Sequence, residues 1–196
     1  MLYCATGNPA KLHEFRLAAP TVTIEVLPHF AALPACLENG ATFEENAILK
    51  ASHYGRHADG LLFADDSGLE VDALGGAPGV HSARFAGQGA TDQQNNELLL
   101  EKMRGHQNRA ARFVCVIALV DGSLADGPKL LSTFHGTAAG HILEALRGTN
   151  GFGYDPLFFY PRLGCSFGEL SGEEKLAVSH RGLAFASMLR FLEEFS

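Results

Sequence analysis

The sequence predicts an α/β fold built on a mixed β-sheet, and three observations carry that reading. Apolar runs of strand length alternate with segments of helical period along the chain. The run 112–120 is followed, across the polar stretch 121–128, by a second run at 130–135. This pair reads as a hairpin and brings antiparallel pairing into the sheet. Hydrophobic residues make up 46% of the 196 and charged residues only 19%. That is enough apolar surface for a sizeable core and too little charge for a mostly disordered chain.

The elements follow in order. Residues 1–5 are apolar and read as a strand that ends at the turn Thr6-Gly7-Asn8-Pro9. Asn8 suits a helix cap and Pro9 the first helical position, so a helix is expected over 10–19 with Leu12, Phe15 and Ala19 on one face. Residues 22–27 alternate as a strand and 33–40 read as a loop. Thr42 with Glu45 has the capping-box spacing, which starts a helix running to about Arg56. Residues 61–64 read as a buried strand, interrupted at 65–68 and resuming over 69–74. The glycine-rich stretch 75–89 is a long shaped loop. Thr91 caps a helix over 92–104. After the hairpin, 142–146 reads as a short helix and 157–160 as a strand. A closing helix is expected over 178–195, with Leu183, Ala186, Leu189 or Arg190, and Phe195 near its apolar face. Residues 1–196 read as one domain, with no repeat or linker.

Several function classes drop out. Lys plus Arg is 15 against 22 Asp plus Glu, a net charge of −7, which argues against a nucleic-acid binder with a broad basic surface. The longest apolar run, 113–120, is eight residues, far short of the roughly 20 of a membrane span. The N-terminus lacks the order of a signal peptide, and Cys4, Cys36, Cys115 and Cys165 are scattered, so a reducing cytoplasm is the expected compartment. No P-loop motif is present. Gly151-Phe152-Gly153 opens like a dinucleotide fingerprint, but Pro156 stands at the third glycine. The surroundings of Ser67 are not a nucleophile elbow. His53 and His57 lie four apart without a third ligand and read as surface histidines.

Four segments carry chemistry. Thr6-Gly7-Asn8-Pro9-Ala10-Lys11 runs a glycine turn into a helix N-terminus, which offers N–H groups and a cation to phosphate; an ordinary capped turn is the plainer account. Glu44 and Glu45 open the next helix, where Glu45 serves the cap and could also face a metal. Asp65 and Asp66 follow an apolar run; adjacent carboxylates repel, and a divalent cation would relieve them. Finally, Phe152 lies between two glycines that leave its ring open to a flat ligand, while Lys175, His180 and Arg181 are donors for carbonyl or phosphate oxygens. Together these suit a nucleotide with Mg²⁺, and leave open whether it is bound or hydrolysed.

At these residues the chain resembles the inosine triphosphate pyrophosphatases, also called dITP/XTP pyrophosphatases. The matching stretches are 6–14, 43–51, 65–85, 151–156 and 174–182, in the family's order over nearly the whole chain. The resemblance implies an elongated α/β fold with a central mixed sheet, flanking helices and an active-site cleft between two lobes. It implies a homodimer that uses Mg²⁺ to hydrolyse ITP, dITP and XTP to monophosphate and pyrophosphate, which clears them from the nucleotide pool. Asp66 matches the family's proton acceptor and, with Glu45, its metal-linked carboxylates. Thr6, Gly7, Asn8, Pro9, Ala10 and Lys11 match its triphosphate loop. Ser67, Phe152, Gly153, Tyr154, Asp155, Lys175, His180 and Arg181 match further substrate contacts. His81 departs from the Tyr common among relatives. The competing readings are a pyrophosphatase for other altered nucleotides and a nucleotide sensor without turnover.

Overall fold

The computed structural model describes residues 1–194. Its frame is one seven-stranded sheet in the order β2-β1-β3-β4-β5-β6-β7. The strands are β1 (Leu2–Cys4), β2 (Ile24–Val26), β3 (Leu61–Val71), β4 (Ala110–Asp121), β5 (Lys129–Ile142), β6 (Phe158–Tyr160) and β7 (Cys165–Ser166). β1 is parallel to both neighbours and every other pair is antiparallel, so the sheet is mixed as expected. Five helices flank it: α1 (Pro9–Ala18), α2 (Phe43–Gly55), α3 (Asp92–Lys102), α4 (Gly172–Val178) and α5 (His180–Glu194).

The caps work as their sequences indicate, with one change. Asn8 Oδ1 accepts from the Ala10 and Lys11 N–H groups, and Thr91 forms a full capping box with Gln94. At α2, Thr42 accepts from the Glu45 N–H, but the Glu45 carboxylate reaches Ala41 N instead of closing the box.

Four expectations need correction. β3 does not break at 65–68; it pairs with β4 residue by residue through Asp65, Asp66 and Ser67. The short helix at 142–146 does not form. Ile142 ends β5, and the Arg109 guanidinium takes the carbonyls of Ile142 and Leu143 at 2.5 and 2.7 Å, the groups a helix would need for itself. The closing helix is two helices. Ser179 is extended between them (ψ 157°), and its Oγ accepts from the Gly182 N–H at the start of α5. The buried face of α5 carries Arg181, Ala184, Phe185 and Met188, while Leu183 and Ala186 are exposed. Arg181 turns inward to a carboxylate partner, and the residues three, four and seven positions later turn in with it. Phe195 lies outside the described residues.

Alternation along β3 and β4 builds two cores, one on each face. Phe63, Cys115, Ile117 and Leu119 pack against Phe15 of α1 and Phe185 of α5. Leu62, Ala64, Val116, Ala118 and Val120 pack against Ala47, Ala51 and Tyr54 of α2. A third cluster joins Leu69, Val71 and Phe113 to Leu99 of α3 and to Phe158 and Phe167. The polar stretch of β3 is the seam where these three cores meet.

α5 approaches β5 closely because position 136 has no side chain. A Cβ on Gly136 would collide with the His180 carbonyl oxygen and lie 2.6 Å from Ala184 N. Gly136→Ala is therefore expected to destabilise by about 2 kcal/mol through overpacking, a melting temperature lower by roughly 4–8 °C. Gly60→Ala, with nothing within 4 Å of the added carbon, should leave the melting temperature unchanged in the same scan.

Candidate active site

The site is organised by β3. Because consecutive strand residues point to opposite faces, Asp65 and Asp66 do not face each other. Asp65 points to the α1 and α5 side. There it accepts from Lys11 Nζ at 2.8 Å and Ser67 Oγ at 3.2 Å, with the Arg181 guanidinium 3.7 Å away. Asp66 points to the α2 side and accepts from Lys50 Nζ at 3.0 Å and Asn46 Nδ2 at 3.3 Å. The repulsion expected of adjacent carboxylates is thus answered by separate cations. Burial opposes the charge on Asp65, but Lys11, Arg181 and Lys50 hold its carboxyl well below the usual range. For Asp66 burial wins over Lys50 and Lys11 and its carboxyl is pushed up.

Lys50 joins a second carboxylate, Glu38, at 3.1 Å. Two acidic oxygens thus converge on one ammonium group at the cavity wall. Their hard donors also suit a divalent cation, which commonly takes one or two carboxylates together with substrate phosphates. Glu45 does not join this pair. It is exposed, its carboxylate accepts from Ala41 N at 2.6 Å, and it is not part of the cavity wall. Among the described residues no three His, Cys, Asp or Glu side chains cluster as a metal site.

On the loop before α1, the cap has a consequence for phosphate binding. Asn8 Oδ1 already takes the N–H groups of Ala10 and Lys11, and Asn8 N donates to Thr6 Oγ1. Among the described residues the Gly7 N–H keeps no partner. Lys11, paired to Asp65, contributes charge from one turn inside the helix.

The other end of the cavity is a buried ionic network. Glu14 of α1 accepts from Lys175 Nζ at 2.7 Å and from Arg181 Nη1 at 2.6 Å. Lys175 also donates to Asp155, which in turn accepts from the Phe152 N–H at 2.8 Å. Arg181 Nη2 donates to Ser67 Oγ at 2.8 Å. The Phe152 ring is not left bare by its flanking glycines: Lys175 Nζ and the Arg181 guanidinium carbon lie 4.8 and 5.4 Å from its centroid. Gly153 is gripped from α3, its N–H by Asp92 at 2.7 Å and its carbonyl by Asn96 at 2.8 Å. Three buried side-chain atoms here keep no partner, Asn96 Oδ1, His180 Nδ1 and Arg181 Nε. His180 stacks on Phe113 at 4.6 Å, and burial, then Arg181 and Lys175, drive its pKa well below the usual value, so the ring is neutral.

All of the residues expected to bind substrate or act on it line one cavity of about 480 Å³, except Pro9, Ala10 and Glu45. Sequence reasoning missed Glu14, Glu38, Asn46 and Lys50. Three of these had a signal. Glu14 lies one helical turn from Lys11, and Asn46 and Lys50 lie four apart on α2, so each pair shares a face. Glu38 sits in a loop with no periodicity to mark it.

Residues 2–191 match the Ham1 family. The dITP/XTP pyrophosphatase of Syntrophobacter fumaroxidans is 47% identical over 196 residues, covering 99% of this chain and 82% of the relative. That of Exiguobacterium sp. is 48% identical over 189 residues, covering 95% and 94%. Among solved structures, the Ham1 protein of Staphylococcus aureus superposes with a TM-score of 0.85 at 39% identity, covering 100% of this chain and 99% of that one. The HAM1 protein of Coxiella burnetii gives 0.87 at 39%, covering 98% of each.

Glu14 supplies a test of the network. Burial opposes its charge, yet Arg181 and Lys175 hold its carboxyl below the usual range. A depressed carboxylate contributes stability above its unfolded pKa and loses it as pH falls through the folded value. Glu14→Gln leaves two buried cations short of a partner, at a cost of about 3 kcal/mol. Its melting temperature should fall well below wild type at pH 7, and the gap should narrow as pH falls below the ordinary carboxylate range and on through the lowered value of folded Glu14. A gap that stays constant from pH 7 to pH 3 would contradict this.

Proposed function

The chain belongs to the Ham1 family, and we propose that it hydrolyses deaminated purine nucleoside triphosphates, ITP, dITP and XTP, to the monophosphate and pyrophosphate. One observation supports this most directly. The buried Asp66 carboxylate shares a cavity with the Gly7–Lys11 end of α1 and with Phe152 and its cations. Phosphate-binding, proton-accepting and base-facing groups then line one cavity.

Each of the chain's own groups has a role in this reading. The Gly7 N–H and Lys11 hold the triphosphate and offset the negative charge that grows on departing pyrophosphate. Asp66 accepts the proton of the attacking water, with Lys50 and Asn46 fixing its oxygens. Phe152 presents a flat apolar contact to the purine, held in place by Asp155, Asp92 and Asn96. Arg181 and His180 line the same cavity, with the Arg181 guanidinium beside Phe152, and are the donors for the base. Glu38 and Asp66 would hold Mg²⁺, which when bound neutralises phosphate oxygens and makes the α-phosphorus more electrophilic.

No described helix is long and apolar enough to cross a membrane. A homodimer working in the cytoplasm, where the nucleotide pool is kept, completes the proposal.

The deciding assay is pyrophosphate release from ITP, XTP, GTP and ATP. ITP and XTP should turn over far faster than ATP, and excess chelator should stop the reaction. Binding of ITP without release would favour a nucleotide sensor. Asp66→Asn should lose roughly 10²-fold or more in kcat while keeping its melting temperature close to wild type. Near-normal kcat in that variant would remove Asp66 from the chemistry.

A further inference from the structure

Arg84 closes the short 3₁₀ turn Gly79–Arg84 and lines the same cavity, and nothing above gives it a task. The other cations in the wall are all committed. Lys11 is paired with Asp65, and Lys50 with Glu38 and Asp66. Lys175 is paired with Glu14 and Asp155, and Arg181 with Glu14. Among the described residues the Arg84 side chain alone of the lining cations has no carboxylate, hydrogen-bond or ring partner. Its guanidinium keeps its full set of planar donors free.

The backbone around Arg84 is held firmly. Ser82 is buried; its Oγ accepts from Leu69 N at 2.9 Å and donates to the Gly79 carbonyl at 2.7 Å. Its own carbonyl accepts from the Tyr154 hydroxyl at 2.8 Å. One buried side chain, Asn95, brackets Arg84: its Nδ2 donates to the Ala83 carbonyl at 3.3 Å and its Oδ1 accepts from the Ala86 N–H at 2.8 Å. Gly68 makes room for the turn, since a Cβ there would collide with Ser82 Oγ. Three polar anchors thus fix a segment whose one charged cavity-facing side chain is left without a partner. That combination is preorganisation for a ligand, and a guanidinium with open donors matches a phosphate oxygen pair best.

Charge balance points the same way. Five cations and five carboxylates line the cavity, so its walls as a set carry no excess positive charge for a triphosphate. Pairing leaves Arg84 as the cation whose charge no neighbour cancels. We propose that Arg84 is a phosphate-binding residue that grips the polyphosphate of the substrate in the cavity it shares with the Gly7–Lys11 loop. This rests on the nucleotide reading above for the identity of the substrate, but not for the phosphate chemistry.

The test uses inorganic tripolyphosphate, a probe with no base. Its binding with Mg²⁺ is measured by titration calorimetry on wild type, Arg84→Ala and Arg84→Lys, alongside kcat and KM for ITP and ATP. Arg84→Ala should weaken tripolyphosphate about 10-fold or more, the loss expected for hydrogen bonds to a charged group, and raise KM for ITP to match. The ITP-over-ATP ratio of kcat/KM should not move, and Arg84→Lys should recover part of the loss by charge without the planar fork. Among the described residues the Arg84 side chain makes no hydrogen bond, ion pair or ring contact, and its backbone carbonyl, which accepts from the Gly87 N–H, is kept in both variants, so their melting temperatures should stay close to the wild-type value. Unchanged tripolyphosphate affinity in Arg84→Ala, or no binding of the probe to wild type, overturns the proposal. A shift in the ITP-over-ATP ratio with tripolyphosphate unchanged also overturns it and makes Arg84 a base contact. Should wild type release no pyrophosphate from ITP, the functional reading fails while the calorimetry still decides the role of Arg84.

Discussion

Two consecutive aspartates in the middle of a central strand are the constraint around which this molecule is arranged. The sheet pairs straight through them, so neither carboxylate can be carried out to solvent on a loop. Strand geometry sends Asp65 to one face and Asp66 to the other. Each face must then bring its own cation. α1 and α5 bring Lys11 and Arg181 to Asp65, and α2 brings Lys50 to Asp66. Three of the five helices are therefore oriented by the needs of two side chains. The apolar cores on either side fill what remains of the same faces.

Such a network is costly to bury and weak as a source of stability, because desolvation cancels much of the attraction. What it supplies is position. Glu14 illustrates the point: one carboxylate on α1 fixes Lys175 on α4 and Arg181 on α5 at once. It can do so only because Ser179 breaks the chain between the two helices. An unbroken helix would place Lys175 and Arg181 six residues apart, about 120° from each other around the helix axis. The kink turns both toward α1, and the cost of interrupting a helix is offset by a cavity wall that needs no rearrangement to meet a ligand.

Much of this was legible from residues alone, and the failures have definite causes. The hairpin, the caps of α1 and α3 and the mixed sheet came from local chemistry that the tertiary structure did not override. The break expected in β3 was wrong because Asp and Gly are read as turn formers, whereas here distant cations satisfy the carboxylates within a strand. The helix expected at 142–146 was wrong because Arg109, more than thirty residues earlier, takes its carbonyls. Glu45 shows the same limit in the site. Its first-turn position suits a cap, and its N–H donates to Thr42 Oγ1 while its carboxylate turns out to Ala41 N; the second acidic partner of Lys50, beside Asp66, comes from the irregular loop at Glu38. Local signals locate elements; they do not reveal which distant group will meet an exposed donor or carboxylate.

The unpartnered atoms complete the argument about the base. Among the described residues three buried side-chain atoms keep no partner, Asn96 Oδ1, His180 Nδ1 and Arg181 Nε, and the last two belong to residues that line the cavity. The guanidinium nitrogen can only donate. A 6-keto oxygen on the base can accept from it; a 6-amino group at the same place would set donor against donor and leave both buried and unpaired. A site that already carries one unsatisfied donor gains by accepting the keto base and gains nothing from the amino base. Discrimination of this kind is large because the penalty falls on groups that water cannot reach. The imidazole is different in kind. Neutral and stacked on Phe113, His180 can donate or accept at Nδ1 according to its tautomer, so it can follow the base rather than select it. In the proposed reading, selection against adenine falls to Arg181, which lines the cavity with two of its nitrogens held by Glu14 and Ser67 and whose guanidinium can only donate.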